Sequence, residues 1–378
     1  MRLRLGLVLT LSAFFLLSSA RAQESCTHCK NSGLHVCKNA ACSDKACGTK
    51  LKHVCDQRYR AKCCQGFRHT LCKKCQSKEA LAKFREFKKT RKQWLKSVKK
   101  VDLKVGIRFS HVETEHFYIH NSHTNWRFDR KDEQDRSSGA HIWAERVEAA
   151  CDDVEKHFGK IRPGPKHRLY LTWTVADNMS AFRSYGHSLE YAKYSFRFGT
   201  TGEACRLFCF PDHETRYTDR GLHAFVYHHA CYAALGYLGP KRRIPLWFGV
   251  GAAHWLDLKR GKRAHDLNVF QLPESQSIQN PWFIKANWNK LVAKRLKKKR
   301  VSLKGLFKQK VFTTLEEHAL CWSMVNFLCR RKAKGRVKEL VKAWASGMPW
   351  EKALEQSFGI SVEDFESSWQ RYALGGYK

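Results

Sequence analysis

Five side chains able to hold or polarise a metal ion lie close together in the chain. His223, His228 and His229 share one apolar segment, and His254 and Asp257 follow in the next. Imidazole and carboxylate are metal donors, and three such ligands with one open position can convert a bound water into a nucleophile near neutral pH. A second group consists of cysteines. Cys26-Thr-His-Cys29 and Cys72-Lys-Lys-Cys75 have the C-x-x-C spacing with which zinc ribbons hold a structural zinc ion. The same residues suit a disulfide framework in a protein that matures where thiols are oxidised. Structural zinc and disulfides both stay open for this segment. A redox role is disfavoured, because no thioredoxin-like βαβ pattern surrounds either pair.

The elements that must position these groups follow from hydrophobic spacing. The longest apolar stretch, Leu222 to Leu238, reads as a helix with a Gly236 stop. After it, Val250 and His254 fall one helical turn apart on a shared face, so His254 can stand in for a ligand missing at 250. Upstream, short strands are expected near 116–119, 169–175 and 206–210, with helices over 140–158 and about 178–185. Pro163-Gly164-Pro165 breaks the chain between helix and strand. Downstream the chain is expected to be mostly helical, and Ser361-Val-Glu-Asp364 is a capping start for a helix presenting Phe365, Trp369 and Tyr372. The expected fold class is α+β, with a small sheet region first and a mostly helical C-terminal half. Residues 23–77 form a cysteine-rich module too poor in apolar runs to bury much core. Residues 78–105 form a basic amphipathic helical linker, and 106–378 form the large domain.

In the helix, His228-His229-Ala230-Cys231-Tyr232 occupies the place of an H-E-x-x-H motif, and Ile244-Pro245-Leu246-Trp247-Phe248-Gly249-Val250-Gly251 follows where Pro-x-Trp-x-x-Glu-Gly would stand. Further on come His318-Ala-Leu-Cys-Trp322, Gly347-Met-Pro-Trp350 and Phe358-Gly359, then the capped helix with Trp369. On these residues the chain from about 110 to 375 resembles the peptidase MA-like superfamily, the gluzincin-type zinc metallopeptidases. The resemblance implies a metallopeptidase-like fold. It also implies that His228 matches the first zinc ligand, that His229 replaces the catalytic Glu, that Tyr232 replaces the second His, and that Val250 replaces the third ligand. One imidazole cannot hold a catalytic zinc ion, and without the metal His229 has no activated water to serve as a general base. The implied molecule is a pseudoenzyme with no catalytic metal. A hydrolase with a site rebuilt from His223, His228, His229, His254 and Asp257 is the enzyme alternative. The start of the cysteine module, Cys26-Thr-His-Cys29-Lys-Asn-Ser-Gly33, is also similar to the C-x-x-C-x-G-x-G units of DnaJ-type zinc modules, with Asn31 in place of the first Gly.

At the scale of the whole chain, Arg2 and Arg4, the apolar run Leu5 to Leu17 and Ala20-Arg21-Ala22 have the order of a cleavable secretory signal over 1–22. A secreted or periplasmic mature chain beginning near Gln23 is expected, with no segment apolar enough to span a bilayer. The formal charge is +36, and losing 1–22 removes three arginines and no acid. Such a surface attracts anionic polymers or membranes, while the 43% hydrophobic content argues against disorder. Lys290 and Lys294, Arg295, Lys297, Lys298, Lys299 and Arg300 form the densest basic run, preceded by Trp282, Phe283 and Trp288. Cations could contact phosphates there and rings could stack on bases, although a solvated helix face beside core aromatics is the plainer reading of this run. No nucleic-acid-binding motif is present, so the expected partner is a protein or an anionic polymer or surface, without base-specific readout.

Overall fold

The computed structural model describes residues 32, 34–37, 53–60, 64, 67, 69–73, 77–123, 139–186, 196–201, 204–209, 219–238, 244–261, 287–298, 301–309, 312, 314–330 and 335–375. The expected signal segment, Cys26, Cys29, Cys75, Trp282, Phe283, Lys299 and Arg300 lie outside the described residues. In chain order the elements run β1 (Leu34–Val36), β2 (Val54–Cys55), α1 (Asp56–Tyr59), β3 (His69–Leu71), α2 (Lys78–Val105), β4 (Ser110–Glu113), β5 (Phe117–Asn121) and α3 (Gly139–Phe158). There follow β6 (His167–Leu171), α4 (Val175–Ser184), β7 (Phe196–Thr201), β8 (Ala204–Cys209), α5 (Asp219–Leu235) and α6 (Leu246–Gly261). The remainder is α7 (Trp288–Lys298), α8 (Leu303–Lys308), α9 (Leu315–Leu328), α10 (Arg336–Ala345), α11 (Trp350–Phe358) and α12 (Val362–Leu374). The protein is therefore mixed α/β and mostly helical, and from Asp219 onward every described element is a helix.

The chain divides into two compact units. In the smaller, β1 pairs antiparallel with β3. Its residues Arg58–Leu95 include the first part of α2, where Phe84, Phe87 and Trp94 recur at helical spacing. Tyr59 lies edge-on to Phe87 and Trp94 at 5.6 and 5.1 Å, and Phe67 lies edge-on to Phe84 at 5.2 Å. Arg91 Nε donates to the Tyr59 carbonyl at 2.7 Å. An aromatic cluster thus supplies core to this unit, and the part of α2 read from sequence as linker belongs to it.

The larger unit takes in Asp44–Gln57 as well as everything from Lys96. Residues 53–57, which the cysteine spacing places in the N-terminal module, join it because β2 pairs with β4, with Val54 opposite Glu113 and Cys55 opposite Val112. The sheet order is β2-β4-β5-β6-β8-β7. Its outer pairs are antiparallel, whereas β5–β6 and β6–β8 are parallel. Parallel neighbours need a crossover, and α3 supplies it between β5 and β6. Expected and observed elements differ most at 169–175: the strand ends at Leu171 and α4 begins at Val175. Thr174 decides this, since its side chain accepts the Asp177 N–H as an N-cap and starts a helix that β-propensity opposes.

A line of imidazoles ties the end of α2 to the sheet. Arg168 can only donate, so His120 Nε2, 3.1 Å away, accepts. The His120 proton is then on Nδ1, donated to His111 Nδ1 at 2.8 Å, and His111 Nε2 donates to Asp102 at 2.9 Å. Burial first, then the neighbouring His111 ring and the Arg168 charge, hold the His120 pKa well below 6.5, in keeping with this neutral arrangement.

Candidate metal centre at the junction of α5 and α6

The start of α5 is pinned from within the core. Arg146 on α3 gives two hydrogen bonds of 2.6 Å to the two carboxylate oxygens of Asp219, and both side chains are buried. Such a bidentate pair fixes direction as well as position. It sets the rotation of α5, so that His228 and His229 sit against α6 and the core, both about 5% exposed. α6 approaches α9 closely. A Cβ on Gly251 would lie 2.2 Å from the Cys321 carbonyl oxygen, a backbone atom that cannot swing away, so glycine is required at this crossing.

At this junction His228 Nδ1 donates to Asp257 Oδ2 at 2.6 Å, and His254 Nδ1 lies 3.8 Å from the same oxygen. His254 is fully buried, and its ring centre is 4.7 Å from that of His228. Beyond it, His254 Nε2 is 2.9 Å from His318 Nδ1, and His318 Nε2 is 3.2 Å from the Phe312 carbonyl. A carbonyl only accepts, so His318 carries its proton on Nε2 and, as a neutral ring, accepts at Nδ1 from His254. That leaves His254 Nδ1 turned toward Asp257. One donor atom from each of His228, His254 and Asp257 lies within 4.8 Å of the other two. Three of the five sequence-derived candidates therefore meet.

The other positions do not join them. His229 packs its ring on Phe225 at 4.4 Å and edge-on to His228 at 5.0 Å. His223 is half-buried, five residues before His228 on the same helix. Tyr232 lies over Gly249, where an added Cβ would meet its ring at 3.4 Å. Val250 is buried among apolar side chains and has no donor atom. Cys231, on the same helix, is no nucleophile, because burial and then the Asp257 charge push its thiol pKa well above the ordinary value.

No protein-family model matches the chain, and no curated protein does. The remaining sequence-derived candidates are therefore placed by geometry alone. Lys294, Lys297 and Lys298 are exposed on α7, and Arg295 reaches Glu316 at 3.7 Å. Trp288 at the head of α7 is no stacking platform: it is 4% exposed and packs on His254 and Trp322 with ring centres 4.8 and 5.8 Å away. Of the C-x-x-C cysteines only Cys72 is described, and it is buried just after β3.

A concave feature outside this junction escaped the sequence reading. A cavity of about 520 Å³ is lined by Glu148, Cys151, Asp152 and Glu155 of α3 and by His116 and Lys166 from the sheet edge. His116 Nδ1 donates to Glu148 at 2.7 Å. Burial lowers the His116 pKa, but the hydrogen bond and charge of Glu148 outweigh it and leave the ring above its ordinary value. Asp152 is raised, by burial first and then by its acidic neighbours. The signal was present as acids at i, i+4 and i+7 on α3, an acidic stripe in a strongly basic chain.

Proposed function

We propose that this chain is an exported, catalytically degenerate member of the gluzincin-type metallopeptidase group that binds a protein or an anionic surface. The observation that carries this reading is the chemistry at the α5–α6 junction. His229, Tyr232 and Val250 stand where the water-activating Glu, the second His and the third Glu would be needed, and all three are turned into packing. A peptidase needs a metal-bound water and a base to deprotonate it, and the helix pair offers no carboxylate at the base position. The residual polar groups hydrogen-bond one another, as in the 2.6 Å contact of His228 with Asp257. The formal charge of +36 supports an anionic partner. The apolar, capped arrangement of the C-terminal helices supports keeping the frame as scaffold.

A second reading, a metal-dependent hydrolase with a rebuilt site, is favoured by the convergence of His228, His254 and Asp257 within 4.8 Å. The two are separated by zinc loading of the full mature chain, followed by metal analysis and a peptidase assay on an unstructured substrate. The binding-protein reading expects no hydrolysis with or without zinc. Turnover that requires zinc and disappears in His228→Ala would overturn it.

A further inference from the structure

A different cluster, on the opposite edge of the sequence from the α5–α6 pair, has the composition of a metal site. His53 immediately precedes β2 and Cys55 ends it, so the two side chains sit at alternate positions and leave the strand on the same face. His141, the third residue of α3, comes up against them: its ring centre is 4.9 Å from that of His53, and the rings meet edge-on at 79°. All three are buried, at 5%, 1% and 1% exposure. One donor atom from each lies within 4.8 Å of the others. Among the described residues neither ring nitrogen of His141 has a hydrogen-bond partner. A fully buried imidazole in that condition is rare, because both nitrogens have given up water for nothing.

We infer that His53, Cys55 and His141 form a binding site for one zinc ion, with the thiolate of Cys55 and one nitrogen of each imidazole as ligands. The donor set is right for a borderline-soft ion and wrong for calcium or magnesium, which take oxygen. In a tetrahedral zinc site, sulfur and nitrogen ligands stand about 3.5 Å apart. Donors within 4.8 Å therefore close on an ion by small side-chain rotations. Binding displaces the Cys55 proton to solvent, so affinity falls at low pH as the thiol and both imidazoles protonate. The ion would clip residues 53–57 onto α3, adding a metal link to a strand held to β4 by only two residue pairs. This goes beyond the proposed function and does not depend on it, since none of the three residues belongs to the α5–α6 junction.

The test uses the full mature chain, stripped with a chelator, reloaded with zinc and dialysed. Metal content is measured for the wild type, Cys55→Ala, His141→Phe and, as a control for the other candidate centre, His228→Ala. The expected result is the loss of one equivalent in Cys55→Ala and in His141→Phe but not in His228→Ala. Equal zinc content in the wild type and both variants overturns the inference and makes His141 a packed core histidine. Should the variants fail to fold, the intact protein still decides: alkylation of Cys55, read by peptide mapping in mild denaturant, is expected to slow at least tenfold with zinc present. Equal rates with and without zinc overturn the site.

Discussion

His116 and Glu148 illustrate how much a single residue pair can be made to report. His116 offers both its backbone N–H, at 3.0 Å, and its ring Nδ1, at 2.7 Å, to one carboxylate. Burial alone would raise the Glu148 pKa, but the His116 hydrogen bond and charge lower it below the ordinary 4.5. The His116 pKa is shifted the other way, above 6.5. A carboxylate with a lowered folded pKa stabilises above its unfolded value and loses that contribution as pH falls. An imidazole with a raised folded pKa stabilises below its unfolded value and loses that contribution as pH rises. The two windows overlap between 4.5 and 6.5. Glu148→Gln keeps an acceptor for the backbone N–H and removes the charge. Its destabilisation is expected to be greatest in that window, about 2 kcal/mol, and to shrink on either side. Thermal melts of the two proteins across pH check this, and a gap independent of pH would show that the pair acts as a neutral hydrogen bond.

The helices of the C-terminal half are set by local signals that agree with their packing. Thr314 and Glu317 form a reciprocal capping box at the start of α9, and Ser361 accepts the Asp364 N–H at the start of α12. Gly359, with φ 68°, ends α11 in the left-handed conformation that glycine adopts at low cost. Phe365 and Trp369 then bury one face of α12, and Trp369 donates to Ser323 on α9 at 3.0 Å. The critical contact between elements is Gly251. Gly251→Ala would force α6 and α9 apart against the Cys321 carbonyl, at an expected cost of about 3 kcal/mol. Urea unfolding measures this, and because α6 carries His254 and Asp257, the variant is also expected to disturb their contacts. An unchanged midpoint would mean that α6 and α9 part to admit a methyl group without loss of packing.

For the whole molecule the dominant property is charge. The described part of the densest basic run lies on one short helix, with Lys294, Lys297 and Lys298 exposed and Trp288 withdrawn into the core. Binding to these described cations would rest on charge contacts, without stacking on Trp288. Affinity for a sulfated or phosphorylated polymer is therefore expected to fall steeply between 50 and 200 mM salt, by about a thousandfold if six phosphates are neutralised. Titration at several salt concentrations checks it, and a salt-independent affinity would remove the electrostatic account. Among the described residues no helix is long and apolar enough to cross a membrane.

Much of this was legible in the residues themselves. Hydrophobic period and the Ser361 cap located α3, α4, α5 and α12 to within a few residues, because those signals act within one or two turns of chain. That Val250 offers no donor atom could be read in the same way, since a missing donor is missing in any fold. What lay beyond the sequence were meetings between distant segments. His254 was within reach of inference by its spacing from Val250, but its contact with His318 was not. Cys55 read as one of ten cysteines in an N-terminal module, and only strand pairing with β4 moved it to the sheet, beside a histidine on α3. Local free energies choose helices and turns, whereas burial against remote partners chooses which donors share a site. That second choice was made by tertiary packing alone.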